Sequence, residues 1–250
     1  MPNSDIIELD VAEQIVVVKA TTSLAMLQKK LVPHKLMLGV MHDPDGEKTL
    51  HDLLMHDSIN LWQGAYGYLR DQVLGARWLL ADGKTINSGA RVVKSVAGYD
   101  LTRLLLGSRN TLAKPLSFTL RLRPLCQRWH YYRLSLKDYL AYANHDLRPT
   151  AAVADGMQQV LIVYHHQVQR DYLSAVDEAD GYPLLLKLQR AFDKHPGCTS
   201  AESRPELPPH ASFDWNSWQY PCETARDFSN EHLEAIQLAL CPAGEKFSDV

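Results

Sequence analysis

Arg91-Val92-Val93-Lys94-Ser95-Val96-Ala97-Gly98-Tyr99-Asp100-Leu101 is the stretch on which the fold turns. A β-branched, apolar start gives way to small residues and then to an Asp that can cap a helix. Leu101 to Leu106 is apolar at helical spacing, and Gly107 supplies the flexible residue that ends helices. The sequence therefore predicts a turn around Gly98, with positive φ there, an Asp100 cap and a helix over 101–106. Upstream, Arg77 to Ala81 is a strand, and Asp82-Gly83 turns it into a second one. Downstream, Leu116 to Leu122 alternates as Leu-Ser-Phe-Thr-Leu-Arg-Leu, a half-exposed strand closed by Pro124.

The remaining elements follow outward. Gln14 to Ala20 is a buried strand. Thr21-Thr22-Ser23 offers a cap for an amphipathic helix over 23–32, through Leu24, Leu27 and Leu31. His42 to Gly46 is a turn, and Thr49 to His56 is a short helix carrying Leu50, Leu53 and Leu54. Beyond a break near 124–128, Trp129 to Leu136 and Val160 to Tyr164 are strands. Residues 137–144, 168–179 and 183–193 are helices. The chain is loop-like from His195 to Ser212, with a last helix over Glu223 to Leu240.

Three segments together resemble one family. They are Leu69-Arg70-Asp71-Gln72-Val73-Leu74-Gly75 leading to Leu80-Ala81-Asp82-Gly83, the stretch from Arg91 to Leu101, and Leu106-Gly107-Ser108 with Thr111-Leu112 and Thr119 to Pro124. Their order and spacing resemble the FAD-binding subunit of bacterial glycolate oxidase, a flavoprotein of the vanillyl-alcohol oxidase/p-cresol methylhydroxylase type. The resemblance covers roughly residues 6–125 and has an echo in Leu188 to Pro196. It implies an α+β fold: the second half of such an FAD-binding domain (1–125), a small α+β cap-like region (126–205) and a C-terminal extension with one helix (206–250).

The resemblance also implies where FAD would sit. The family cradles the pyrophosphate in a Gly-rich loop of a first subdomain, because glycine lets backbone approach phosphate closely. No such loop is present here, and Ile6 to Val18 resembles the strand pair that follows that subdomain. The retained pieces that would touch FAD are Arg70, Lys94, Gly98, Tyr99, Thr111, Leu112 and Ala113. Where the family has Thr-x-Gly-Gly, this chain has Thr49-Leu50-His51-Asp52, continuing to Asp57 and Asn60. Where the family has Gly-Thr-Leu-Gly-x-Ile-Thr, it has Asn110-Thr111-Leu112-Ala113-Lys114-Pro115-Leu116. Side chains replace glycines, a new carboxylate repels phosphate, and Pro115 lacks a donor. The expectation is a scaffold without bound FAD, with retained FAD binding as the alternative.

Other chemistry is weakly supported. His51 and His56 in HDLLMHD are five apart, about 500° around a helix, a poor pairing for one metal. His165-His166 at a strand end are expected to point to opposite faces. Ser108 has no positioned His. Lys94 and Arg70 are read as scaffold cations, pairing with Asp71 and Asp100, and Tyr99 as a packed core residue. No convincing catalytic base is present, and no metal site is expected.

Composition bounds the rest. Of 250 residues, 46% are hydrophobic and 22% charged, which excludes disordered and coiled-coil chains. The formal net charge of −3 gives no basic footprint for nucleic acid. No apolar run approaches membrane-span length, and Met1-Pro2-Asn3-Ser4-Asp5 does not open a signal peptide. The 4 cysteines (126, 198, 222 and 241) form no Cys-x-x-Cys pair and are expected as free thiols in the cytoplasm.

The sequence thus predicts a non-catalytic subunit of a flavin-dependent 2-hydroxyacid dehydrogenase-type complex. The alternative is an active FAD subunit oxidising a 2-hydroxy acid such as glycolate. The partners expected are other subunits of a glycolate-oxidase-like complex, or a second copy in a homodimer. They would cover an apolar face around Gln14 to Ala20, Trp78 and Val92. The aromatics Phe213 to Tyr220 either join that interface or pack on the chain itself.

Overall fold

The computed structural model describes residues 5–41, 43–56, 60–89, 96–108, 110–135, 137–139, 149–154 and 159–193. The expectations for Phe213 to Tyr220, the helix Glu223 to Leu240 and most of 137–144 lie outside the described residues.

The strand β1 (Ile6–Asp10) turns back into β2 (Ile15–Lys19), with Gln14 at φ 56° closing the hairpin. β2 pairs with β6 (Lys114–Arg121), which pairs on its other side with β4 (Val73–Leu79). β5 (Thr85–Gly89) completes an antiparallel five-stranded sheet of order β1-β2-β6-β4-β5. Short strands β3 (Leu36–Met37) and β7 (Arg123–Pro124) pair with each other.

Alternation buries one side of this sheet. Val16, Val18, Trp78, Phe118 and Leu120 are fully buried against helices α1 (Leu24–Leu31), α2 (Leu50–Met55) and α4 (Val96–Leu105). A four-residue helix α3 (Gln63–Tyr66) lies between α2 and β4 in the chain. The α1 cap is Ser23, whose hydroxyl accepts from Met26 N–H at 3.2 Å. Because Val16, Val18, Ala20 and Trp78 lie within the chain's own core, the apolar face expected to need a partner is already covered there. Val92 lies outside the described residues.

The second sheet has the order β11-β8-β10-β9 and is antiparallel throughout. Its strands are β8 (His130–Ser135), β9 (Ala151–Ala154), β10 (Gln159–Tyr164) and β11 (Ser174–Val176). On one face Tyr131, Val153, Leu161 and Val163 pack with Met37, Met41, Leu61 and Trp62 and with Leu185 of α5 (Glu178–Asp193). On the other, Tyr132, Leu134, Ile162 and Tyr164 form a separate cluster.

Three expectations are corrected. Asp100 does not cap a helix and Gly98 is not in a turn, because α4 already begins at Val96. The glycines with positive φ among the described residues are Gly67, Gly83, Gly89 and Gly107. Contact with β5 anchors the helix, through Thr102 Oγ1 and Ser88 Oγ at 2.6 Å, and outweighs the roughly 1 kcal/mol helix cost of glycine. The helix expected over 168–179 is instead a loop followed by β11, because β8 offers an open edge that pairs with Ser174–Val176. The helix expected to start at 183 starts at Glu178, so Pro183 lies inside it. The strand Ala151–Ala154 carried no expectation.

Candidate functional site

The segment Leu38 to Met41 crosses the interior without a strand partner, yet its polar backbone must be satisfied. Three buried amide side chains do this. Gln28 donates to Leu38 O at 2.8 Å and accepts from Leu38 N–H at 3.1 Å. Gln72 accepts from Gly39 N–H at 3.0 Å and donates to Gly39 O at 2.9 Å. Asn60 accepts from Met41 N–H at 3.2 Å and from Trp62 N–H at 3.0 Å while donating to Gly39 O at 3.0 Å. Asn60, read from the sequence as a replaced glycine-motif position, is therefore a backbone clamp.

This segment leads to α2, where the resemblance places the first lost glycines. Thr49 and Asp52 form a reciprocal capping box. The hydroxyl of Thr49 accepts from Asp52 N–H at 3.1 Å, and Asp52 Oδ2 accepts from Thr49 N–H at 3.0 Å. Leu50 N–H donates to Thr22 O at 2.9 Å and His51 N–H to Ala20 O at 2.8 Å. Each of these first-turn amides thus has an oxygen within the protein.

One of the two glycines lost from the second motif, at Asn110, comes to the same place. The His51 ring spans Asp52 and Asn110, with Nδ1 at 3.3 Å from Asp52 Oδ1 and Nε2 at 3.0 Å from Asn110 Oδ1. Asn110 holds φ 64°, so the left-handed backbone that favours glycine persists there with a side chain added. His51 also meets His56 edge-on, with ring centroids 6.3 Å apart. Three replacements for glycine, His51, Asp52 and Asn110, are thus joined by hydrogen bonds across 59 residues of chain.

Burial works to raise the Asp52 pKa, but hydrogen bonds from the Thr49 hydroxyl and amide, with His51 beside it, outweigh that and lower it. A depressed folded-state value means that the ionised group stabilises the fold above the ordinary carboxylate range. That stability is lost as pH falls through the folded value. Asp52→Asn is expected to cost about 1 kcal/mol at pH 7, the scale of a lost cap. Urea titrations at neutral and acid pH should show the difference shrinking toward zero below the carboxylate range. A pH-independent difference would contradict the assignment.

The remaining expected site residues do not converge on one pocket. The Arg70 guanidinium lies 4.8 Å from the centroid of the Tyr68 ring. Asp71, one of the two acids named for Lys94 and Arg70, pairs with Arg103 at 2.9 Å. Thr111 is exposed, and its hydroxyl donates to Ser108 O at 2.6 Å. Leu112 and Ala113 are buried in the core with their side chains among apolar neighbours. Gly98 is within α4. Lys94 and Asp57 lie outside the described residues, and the Tyr99 and Asp100 side chains are not described. The His165 and His166 rings, expected on opposite faces, meet at 4.7 Å because β10 ends at Tyr164 and the chain bends. Among the described residues no three His, Cys, Asp or Glu side chains gather to hold a metal.

A pyrophosphate placed at α2 would meet the Asp52 carboxylate and first-turn amides already committed to protein oxygens. That arrangement does not fit the group. The sequence pointed to these positions through replaced glycines. The amide clamps Gln28 and Gln72 carried no such signal, since a polar residue on an apolar helix face does not announce its partner.

Residues 2–89 match the FAD binding domain family. Glycolate oxidase subunit GlcD of Bacillus subtilis is 46% identical over 78 residues, covering 30% of this chain and 17% of that protein. Glycolate oxidase subunit GlcE of Escherichia coli is 40% identical over 63 residues, 25% of this chain and 17% of its own. The mitochondrial D-lactate dehydrogenase [cytochrome] of Arabidopsis thaliana is 44% identical over 62 residues, 25% of this chain and 11% of its own. The matched stretches thus span only 11% to 17% of these relatives' lengths. Together with the α+β fold, the matches bear out the resemblance to FAD-binding glycolate oxidase subunits. No helix among the described residues is long and apolar enough to cross a membrane.

Proposed function

We propose that this protein is a cytoplasmic, non-catalytic subunit of a flavin-dependent 2-hydroxyacid dehydrogenase-type complex, built on an FAD-binding-domain scaffold that holds no flavin. The observation that carries this reading is the mutual bonding of His51, Asp52 and Asn110 where the related proteins would have glycines. The commitment of the Leu50, His51 and Asp52 amides supports it further. Two matched relatives are named as glycolate oxidase subunits, which supports other protein chains as partners. In this reading the FAD-domain-like unit and the cap-like unit meet near residue 125.

The second reading is an active FAD subunit oxidising a 2-hydroxy acid. The match of residues 2–89 to an FAD binding domain and the glycine-like backbone of Asn110 favour it. In that case Arg70, Lys94 and the segment Thr111 to Ala113 would lie beside the cofactor.

The deciding experiment recovers the tagged chain from its native cell. Size-exclusion chromatography with light scattering gives its mass, and a flavin assay follows on each separated subunit. The proposal expects a complex in which any flavin travels with another chain. A monomer of this chain, or flavin extracted from it in stoichiometric amount, would contradict the proposal.

A further inference from the structure

At the end of β10 the chain sets two imidazoles side by side on the surface. His165 and His166 follow Tyr164, the last residue of the strand, and both are exposed. In a continuing strand their side chains would point to opposite faces. The bend after Tyr164 brings the rings together instead, with centroids 4.7 Å apart and 72° between their planes. Two imidazoles on one ion, with metal–nitrogen distances of about 2.0–2.1 Å and about 90–110° between the bonds, have ring centres roughly 4.5–5.2 Å apart. The His165–His166 separation lies within that range. The rings of the other histidine pair, His51 and His56, are 6.3 Å apart and lie outside it.

The surroundings hold the pair in place. His165 Nδ1 lies 3.3 Å from the Thr150 hydroxyl. Thr150 is only 1% exposed, and its N–H donates to Val163 O at 2.7 Å, so that hydroxyl is fixed to the sheet. Metal-binding histidines commonly engage their second ring nitrogen with such an oxygen, which leaves Nε2 for the ion. The His166 ring meets Tyr164 edge-on, with 5.5 Å between centroids. Burial and the neighbouring His166 lower the His165 pKa, so its neutral, ligating form prevails at pH 7. Among the described residues no third His, Cys, Asp or Glu completes a set, so water fills the remaining positions.

We propose that His165 and His166 form a two-imidazole surface site for a borderline divalent transition-metal ion, of the copper(II) and zinc(II) class. Imidazole nitrogens suit these ions, whereas magnesium and calcium take oxygen ligands. Copper(II) is the tighter of the two, following the general order for nitrogen ligands. The site belongs to the second sheet, shares no residue with the His51–Asp52–Asn110 cluster, and does not depend on whether the chain holds flavin.

The test is calorimetric titration of the untagged full chain with copper(II) near neutral pH. The expected result is copper binding that His165→Asn and His166→Asn each weaken at least about tenfold. Both positions are exposed, so these variants keep the fold, which circular dichroism checks. His34→Asn, at an exposed histidine on another element, should leave the binding unchanged. Electron paramagnetic resonance of the copper-loaded chain should show ligation by two imidazole nitrogens. No copper binding at submillimolar concentration, affinity unchanged in His165→Asn or His166→Asn, or a spectrum with a single imidazole would each overturn the proposal.

Discussion

Trp78→Ala is expected to remove about 4 kcal/mol of unfolding free energy, near the top of the range for a buried aromatic. Trp78 is fully buried between the sheet and α4, edge-on to Phe118 at 6.2 Å. Its truncation leaves a cavity in the main core, which the surrounding β-ladder cannot close by local collapse. It also breaks a polar chain. The indole N–H donates to Ser88 Oγ at 2.7 Å, and that hydroxyl contacts Thr102 Oγ1 at 2.6 Å. Trp78→Phe keeps most of the apolar volume and isolates the polar part, at about 1–2 kcal/mol. Urea unfolding followed by circular dichroism measures both. A Trp78→Ala loss below about 1 kcal/mol would mean that this core is not the centre of the fold.

Gly89→Val is expected to cost about 3 kcal/mol or more, combining backbone strain with overlap. Gly89 has φ 76°, and a Cβ there would run into the Leu74 carbonyl. Its cross-strand partner is Gly75, where a Cβ would stand 2.6 Å from Ser88 O. The two glycines therefore let β4 and β5 approach with no side chain between them. Gly83 separates the two contributions. It has φ 78° with open space where a Cβ would stand, so Gly83→Val carries the strain without the overlap and should cost about 1–2 kcal/mol, less than Gly89→Val. Equal thermal shifts for the two variants would show that strain alone acts and that the close approach contributes nothing.

Periodicity made the first sheet legible. Ile15–Lys19, the Val73–Leu79 and Thr85–Gly89 hairpin and Lys114–Arg121 all lie in or beside predicted strands, because alternation and turn residues are local signals. The Ser23 cap and the Thr49–Asp52 box are likewise local and appear where the sequence puts helix starts. What failed depended on distant partners. Ser174–Val176 is a strand only because the edge of β8 is there to pair with it. The early start of α4 accompanies a Thr102–Ser88 contact across 14 residues. The candidate site was legible in part. Replaced glycines marked His51, Asp52 and Asn110, but the bond between His51 and Asn110 spans 59 residues and no spacing rule reveals it. Asp71 was legible as the acid of an ion pair, but its contact with Arg103 spans 32 residues, and the Arg70 guanidinium beside the Tyr68 ring carried no sequence signal.

The proposed function requires that His51, Asp52 and Asn110, standing where the resemblance has glycines, leave no room for flavin. The visible absorbance spectrum of the purified full chain, before and after incubation with excess FAD and removal of the unbound portion, tests this most directly. A colourless protein that remains colourless is the predicted result. A yellow protein that releases one FAD per chain on denaturation would contradict it.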